Sequence, residues 1–263
     1  MTLQNTSLLT SYPVDVVVPL VTPPNIEDFF RLTDHVLAGG IKNLVLFGGV
    51  GEGYKIAPAA KSALLKELVP FINGRANLFT VLFGPSLNHL IAQAQECEQF
   101  GFAGALVPLA FANDEHMFAE LLKQTTLNYY LYRQPTGRTT VIREELFNMD
   151  RVVGIKDSGG DFDALQQIIK KHKRDDFKIY YGRESNIEKA LTLDIDGWVP
   201  STANLAPELV RAVWEKRDAA TLAAFHDLKQ EINAAQKSND AGLADYMYGL
   251  KMLLVQRGIV QSF

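Results

Sequence analysis

The stretch VVGIKDSGGDFDALQQII, residues 152–169, carries a whole structural unit in little space. A β-branched apolar run ends in a small polar loop, and Leu165, Ile168 and Ile169 then recur at helical spacing. The same alternation runs along the chain. Short apolar runs occur at VDVVVPLVTP (14–23), NLVLFGG (43–49), NLFTVLFG (77–84) and GALVPLA (104–110). Four more are YYLYRQP (129–135), VVGIKDSG (152–159), KIYYGRE (178–184) and GWVPSTAN (197–204). Their nearly continuous apolar character suits parallel strands covered on the outer face as well as the inner. Between them lie helical stripes such as Phe29, Leu32 and Val36, or Leu64, Leu68 and Phe71, or Phe118, Leu121 and Leu122. AGG at 38–40 and NG at 73–74 mark helix ends, and Pro58 marks a start. The thinnest helical pattern is 136–150, where REELF offers barely two turns. Eight strand–helix units in about 200 residues are the count of a (β/α)8 barrel, the TIM-barrel member of the α/β class, rather than of a doubly wound sheet.

After Pro207 come three helical patterns, 207–216, 219–236 and 242–257. The first reads as the last barrel helix and the others as a helical appendage. The expectation is a TIM barrel over residues 1–216 with a C-terminal helical extension at 217–263, in the same structural unit. No Pro/Gly/Ser-rich linker or internal repeat divides it.

The 263 residues are 47% apolar, enough for one large core. With 26 basic and 30 acidic side chains the formal charge is −4. The densest basic cluster, KKHKR at 170–174, reads as the solvated end of a helix, so no nucleic-acid partner is expected. The single cysteine, Cys97, excludes an internal disulfide and a Cys-rich metal site, and lies on a helical pattern as a small core residue. MTLQNTSLLTSYP at the N-terminus lacks the basic and apolar regions of a signal peptide, and no apolar stretch is long enough to span a bilayer. The expectation is a cytoplasmic protein with no membrane partner.

In a barrel, reactive groups belong at the C-terminal ends of the strands. Lys156 ends one strongly apolar strand. A desolvated lysine loses stabilisation of its cation, so its free amine becomes available as a nucleophile. The plain alternative is a lysine that snorkels from the rim to water. Tyr132 ends the preceding strand, where a phenol can carry protons to and from a substrate, or simply fill the core. Amine and phenol on adjacent strand ends strengthen one another as candidates. The glycine-rich loop in NLVLFGGVGEGYK, residues 43–55, first suggests a nucleotide. A dinucleotide fingerprint needs glycines at its first, third and sixth positions; counted from Gly49, the third is Gly51 but the sixth is Tyr54. A P-loop ending is absent too. What remains is either a conformational turn or a nest of backbone N–H groups for an anion.

PLVTPP (19–24), GGVGE (48–52), LYRQP (131–135), GIKDSGGD (154–161) and GWVPSTANLAP (197–207) follow one another in a familiar order. In these segments the chain resembles the pyruvate-dependent class I aldolases that include dihydrodipicolinate synthase and N-acetylneuraminate lyase. The resemblance covers most of the chain. It implies that Lys156 forms a Schiff base with the keto carbon of pyruvate or another 2-oxo acid, and that Tyr132 relays protons. It implies that the N–H groups of Gly49 and Val50 hold the substrate carboxylate and that Val199 and the following loop wall the site. Arg138 falls near the family arginine that binds a second substrate's carboxylate, although PTGRT is one residue longer there. Substrates would be pyruvate with an aldehyde, or keto-deoxy sugar acids cleaved to pyruvate. No metal or organic cofactor is implied, and family members are commonly homo-oligomers, dimers or tetramers.

The departures are specific. Gly49 and Val50 replace the family's paired hydroxyls, and Leu109 and Ala110 follow Pro108 where dihydrodipicolinate synthase has a tyrosine. A relay from Tyr132 through hydroxyl to tyrosine cannot form with these residues, which points away from lysine biosynthesis. Arg133 stands where asparagine is common, and Pro200 where serine is frequent. The chain ends soon after 242–257, so the appendage is expected to lack the family's last helix. Two other readings stay open: a 2-oxo acid-binding barrel without turnover, and a metal-free barrel enzyme gripping a phosphorylated substrate through Arg183 of GRES (182–185). The bland reading of GRES is an exposed loop with a salt-bridged arginine. The histidines at 35, 89, 116, 172 and 226 are scattered, with no metal-ligand spacing, and no catalytic-triad pattern is visible.

Overall fold

The computed structural model describes residues 15–135, 141–236 and 243–263. Eight strands form one parallel sheet in chain order: β1 (Val18–Pro19), β2 (Asn43–Leu46), β3 (Asn77–Val81), β4 (Gly104–Pro108), β5 (Tyr129–Arg133), β6 (Val152–Asp157), β7 (Lys178–Tyr181) and β8 (Gly197–Trp198). A parallel bridge between Val16 and Trp198 closes the ring, and Val17 N–H donates to the Trp198 carbonyl at 2.9 Å. All eight apolar runs are strands, and each strand stops before its run does. The difference has one cause: the tail of each run turns out of the ladder to build the C-terminal mouth. In GALVPLA the strand ends at Pro108 and a short helix follows; in GWVPSTAN only Gly197–Trp198 pair, and Thr202–Asn204 form a 3₁₀ turn.

Strand periodicity then sorts the side chains. Val16, Val18, Leu44 and Leu46 pack outward under the helices, while Val17, Val45, Phe79, Leu106, Tyr130 and Tyr180 fill the barrel. Inside, Tyr130 meets Phe79 and Tyr180 edge-to-face, each pair with centroids 5.7 Å apart.

The helices are α1 (Ile26–Ala38), α2 (Pro58–Ile72), α3 (Leu87–Gln99), α4 (Leu109–Ala112), α5 (Glu115–Gln124), α6 (Phe162–His172), α7 (Ile187–Leu191), α8 (Pro207–Lys216), α9 (Ala219–Gln236) and α10 (Leu243–Gln256). Their ends follow local chemistry. Asn25 and Asp161 cap α1 and α6 with side-chain oxygens, Pro58 starts α2, and Asn73 in the left-handed region ends it. The described part of 136–150 holds a 3₁₀ turn, Glu144–Asn148, in place of an α-helix. Phe147 of that turn takes the covering role by stacking on His172 at 3.7 Å. Of the basic cluster at the end of α6, Lys170 and Lys171 are exposed, whereas His172, Lys173 and Arg174 are half-buried; Lys171 and His172 reach Glu144. No described helix is long and apolar enough to cross a membrane.

The C-terminal helical part folds back over the barrel. Phe225 of α9 packs edge-on against Trp198, and Asp28 of α1 accepts N–H bonds from Gln261 and Ser262 near the chain end. Burial pushes the Asp28 carboxyl up, but those bonds, with Asn25 and Arg31, hold it below the usual range. Asn204 knits the other side. Its oxygen accepts from Val21 N–H at 3.0 Å, and its amide donates to the Pro19 and Ser201 carbonyls at 2.9 and 2.8 Å. Asn204→Ala would strand those groups in a dry site, and the expected loss is about 3 kcal/mol in urea unfolding. A loss under about 0.5 kcal/mol would deny the side chain that role.

Candidate active site

Lys156 lies one residue before the end of β6, in register with Tyr132 of β5 and Tyr180 of β7. Its side chain is buried, and burial alone pulls its pKa down to about 8. The amine sits over the Tyr132 ring, 4.6 Å from the centroid. A ring face favours the cation, so burial is the stronger effect here. Lys156 lines a small apolar cavity of about 20 Å³, with Val45, Leu106, Tyr130, Tyr180 and Val199 among its other walls. Lys156, Tyr132 and Val199 therefore come together as the sequence suggested.

Tyr132 is also buried, which raises its pKa against the pull of its hydrogen bond with Ser158. The phenol is neutral at physiological pH. Ser158 lies two residues beyond Lys156, on the same side of the extended chain, and its hydroxyl also donates to the Gly182 carbonyl at 3.1 Å. It supplies Tyr132 with a hydroxyl neighbour that Gly49, Val50, Leu109 and Ala110 cannot. Sequence reasoning passed over Ser158; its spacing from Lys156 was the available signal.

Gly49 and Val50 lie in the loop after β2, at the same mouth. The loop closes on itself through Glu52 N–H to Gly49 O at 3.1 Å and Gly53 N–H to Gly48 O at 3.0 Å. A Cβ on Gly53 would stand 1.9 Å from Phe47 O, and one on Gly51 would stand 2.7 Å from Leu20 O, so these two glycines are packing requirements. At Gly49 a Cβ would meet nothing within 4 Å, so that backbone faces open space. Phe47 and Glu52 both take positive φ, 56° and 49°. The strain is held in place by ion pairs from Glu52 to Lys55 and to Lys251 of α10. Burial raises the Glu52 carboxyl, but the two lysines bring it below its ordinary range.

A second knot binds the appendage beside β7. Glu184 accepts from Ser201 Oγ at 2.9 Å, Thr202 N–H at 2.7 Å and Tyr246 OH at 2.7 Å, and pairs with Lys229. Burial opposes ionisation of Glu184, yet Lys229, Tyr246 and Thr202 keep it ionised. Tyr246 itself is pushed well above the phenol range by burial and by that charge.

Arg133, the departure from asparagine, forms a buried pair with Asp157 at 3.2 Å that braces the ends of β5 and β6. Asp157 is nevertheless raised, because its burial outweighs Gly159 N–H and Arg133. No described carboxylate pairs with Arg183, unlike in the bland reading of its loop: its neighbour Glu184 turns to Lys229 instead. Arg138 lies outside the described residues. Cys97 is buried, with its thiol pushed up to about 12, as befits a core residue. Among the described residues no three His, Cys, Asp or Glu side chains are grouped as metal ligands.

Known proteins agree with this architecture. The family model of the dihydrodipicolinate synthetase family matches residues 16–263. The chain is 28% identical over 213 residues to a probable 2-dehydro-3-deoxy-D-pentonate aldolase of Escherichia coli, covering 74% of this chain and 70% of that protein. It is 31% identical over 203 residues to 4-hydroxy-tetrahydrodipicolinate synthase 1 of Streptomyces coelicolor, covering 72% and 64%. In structure it is similar to dihydrodipicolinate synthase of Bacteroides thetaiotaomicron, with a TM-score of 0.81 at 23% identity over 94% of this chain and 89% of that one. A match spanning nearly the whole barrel and its helical tail leaves one assignment: the chain belongs to the dihydrodipicolinate synthetase family.

Proposed function

We propose that Lys156 of this lyase-family protein attacks the keto carbon of pyruvate or another 2-oxo acid and forms a Schiff base. The family is one of class I aldolase-type lyases acting on pyruvate. The observation that carries the role of Lys156 is its amine, buried at a barrel mouth with a pKa near 8 and a phenol against it. The free amine adds to the carbonyl, and loss of water leaves an iminium. The iminium draws the electrons of a bond at C3 toward nitrogen, so a C–C bond forms or breaks there. Neutral Tyr132 protonates the departing oxygen and takes the proton back later. Ser158 steadies the phenolate by turning its O–H from the Gly182 carbonyl. The N–H groups of Gly49 and Val50 hold the carboxylate, supported by the open space at Gly49.

Reduction with borohydride after incubation with pyruvate should leave a mass adduct on Lys156. Absence of that adduct with a panel of 2-oxo acids would sink the proposal. Keto-deoxy sugar acids are the first cleavage substrates to try, in keeping with the printed activity of the Escherichia coli relative. An adduct without any turnover, across those acids and a panel of aldehydes, would favour the binding-barrel reading. Tyr132→Phe is expected to lower kcat by about 10²–10⁴, the usual range for a general acid–base group. Ser158→Ala is expected to lower kcat by about tenfold, the worth of one hydrogen bond to a charged group, with Ser158→Thr restoring most of it. Equal pH profiles for Ser158→Ala and the wild type would remove Ser158 from the proton path.

The working unit in this reading is the whole chain, barrel to residue 216 and extension from 217 to 263, tied by Glu52 and Glu184. A homo-oligomer, dimer or tetramer, is supported by exposed Tyr54 beside a groove of about 850 Å³ lined in part by Ile56, Phe83 and Phe111. A cytoplasmic setting is supported by the one buried, unpaired Cys97.

A further inference from the structure

Two guanidinium groups pack against the loop that follows Lys156, and they end differently. Arg133 lies against Gly159 and closes on Asp157. Arg183 lies against Gly160, where a Cβ would stand 2.6 Å from its Nη1. Gly160 has φ +83°, so the loop is bare at that point for two reasons. The Arg183 contacts are long and uncharged: Nη1 to the Ser158 and Gly159 carbonyls at 3.4 Å, and Nε to Ser185 Oγ at 3.3 Å. No described carboxylate lies within 4.0 Å of it.

Four other described cations near the mouth are matched. Lys55 and Lys251 meet Glu52, Lys229 meets Glu184, and Arg133 meets Asp157. Half-buried Arg183 thus holds an unneutralised fork on the rim. Its place is fixed relative to the nucleophile. Gly182, the residue before it, would touch Lys156 Cε at 2.8 Å if it bore a Cβ, and the Arg183 carbonyl accepts from Trp198 Nε1 at 2.8 Å. With the backbone pinned, the side chain alone can swing toward a bound molecule. A planar fork of this kind matches an oxyanion in bidentate fashion.

Resting on the Lys156 reading, we infer that Arg183 receives a second anionic group, carboxylate or phosphate, at the far end of the bound 2-oxo acid or its aldehyde partner. The substrate class is then a doubly anionic one, with a carboxylate in the loop after β2 and another anion at the start of the loop after β7. Neutral-ended substrates would leave the fork facing water.

Borohydride trapping tests this without needing turnover. Half-saturation of the Lys156 adduct is measured for 2-oxo dicarboxylic acids of four to six carbons and for 2-oxo monocarboxylic acids of equal length. Wild type should favour the best dicarboxylate by roughly tenfold to a hundredfold, as expected for a charge-assisted pair. Arg183→Met should bring the two series together, and Arg183→Lys, which keeps the charge but not the fork, should fall between. A preference that survives in Arg183→Met overturns the assignment of Arg183, and so does equal half-saturation in the wild type joined to no preference for the anionic aldehydes. Failure of wild type to trap pyruvate overturns the Lys156 reading instead. Condensation of pyruvate with glyceraldehyde 3-phosphate, succinic semialdehyde or glyceraldehyde then tells phosphate from carboxylate. Faster reaction with neutral glyceraldehyde than with both anionic aldehydes counts against the inference.

Discussion

Lys156→Met is expected to abolish the pyruvate adduct and, at neutral pH, to make the folded protein more stable. The catalytic half follows from loss of the only nucleophile proposed, and the fall in kcat should reach about four orders of magnitude or more. The stability half follows from the pKa of about 8. An unfolded lysine titrates near 10.4, so between about pH 8 and 10.4 the unfolded chain binds the proton that the folded chain has lost. Lowering pH through that window therefore favours unfolding, and below about pH 8 the full cost is present. A gap of more than two pKa units corresponds to about 3 kcal/mol. Methionine fills similar space without a charge. Urea unfolding at several pH values should show the variant ahead by up to about that amount below pH 8, with the lead fading toward pH 10.4. A wild type more stable than Lys156→Met at pH 7 would contradict the desolvated amine. The same pKa sets the activity profile: kcat/KM should rise with pH through a limb near 8, because about one amine in ten is free at pH 7.

Gly182→Ala should also damage activity, with a different signature in stability. A Cβ there would stand 2.0 Å from Ser158 Oγ, 2.8 Å from Lys156 Cε and 3.1 Å from Lys156 Cγ. These are side-chain atoms, so the backbone can stay while Lys156 and Ser158 are driven off their places. Displacement of reacting groups by about 1 Å can cost around a hundredfold in rate, whereas an overpacked methyl costs about 1–3 kcal/mol. Loss of kcat by about a hundredfold with a modest change in unfolding free energy is the expected pair of results. Adding Ser158→Ala relieves the tightest contact and should recover stability without recovering rate. Wild-type kcat in Gly182→Ala would show that the lysine has room the geometry denies it.

The barrel was legible because a parallel strand buried on both faces must be apolar throughout, and eight such runs are hard to hide. Lys156 and Tyr132 stood out for the related reason that a polar tip at the end of such a run has few structural uses. Ser158 gave no such contrast, since a serine beside two glycines is ordinary loop composition. The knots at Glu52 and Glu184 were illegible for a physical reason: Lys251 and Tyr246 lie 199 and 62 residues away along the chain, and no local periodicity encodes so distant a pairing. The loop GRES shows the same limit in reverse. Its arginine and glutamate are neighbours in sequence, yet each ends against a different part of the mouth.

The two glutamates that α9 and α10 neutralise also bear on how this family can be re-engineered. Loops of a barrel are commonly treated as exchangeable parts on a neutral scaffold. Here a grafted β2 loop or β7 loop arrives with its own charge pattern and meets lysines and a tyrosine fixed on the tail. Replacing either loop alone would leave Lys251, or Lys229 with Tyr246, facing no carboxylate. The smallest unit that can be transplanted is accordingly a loop together with its helix.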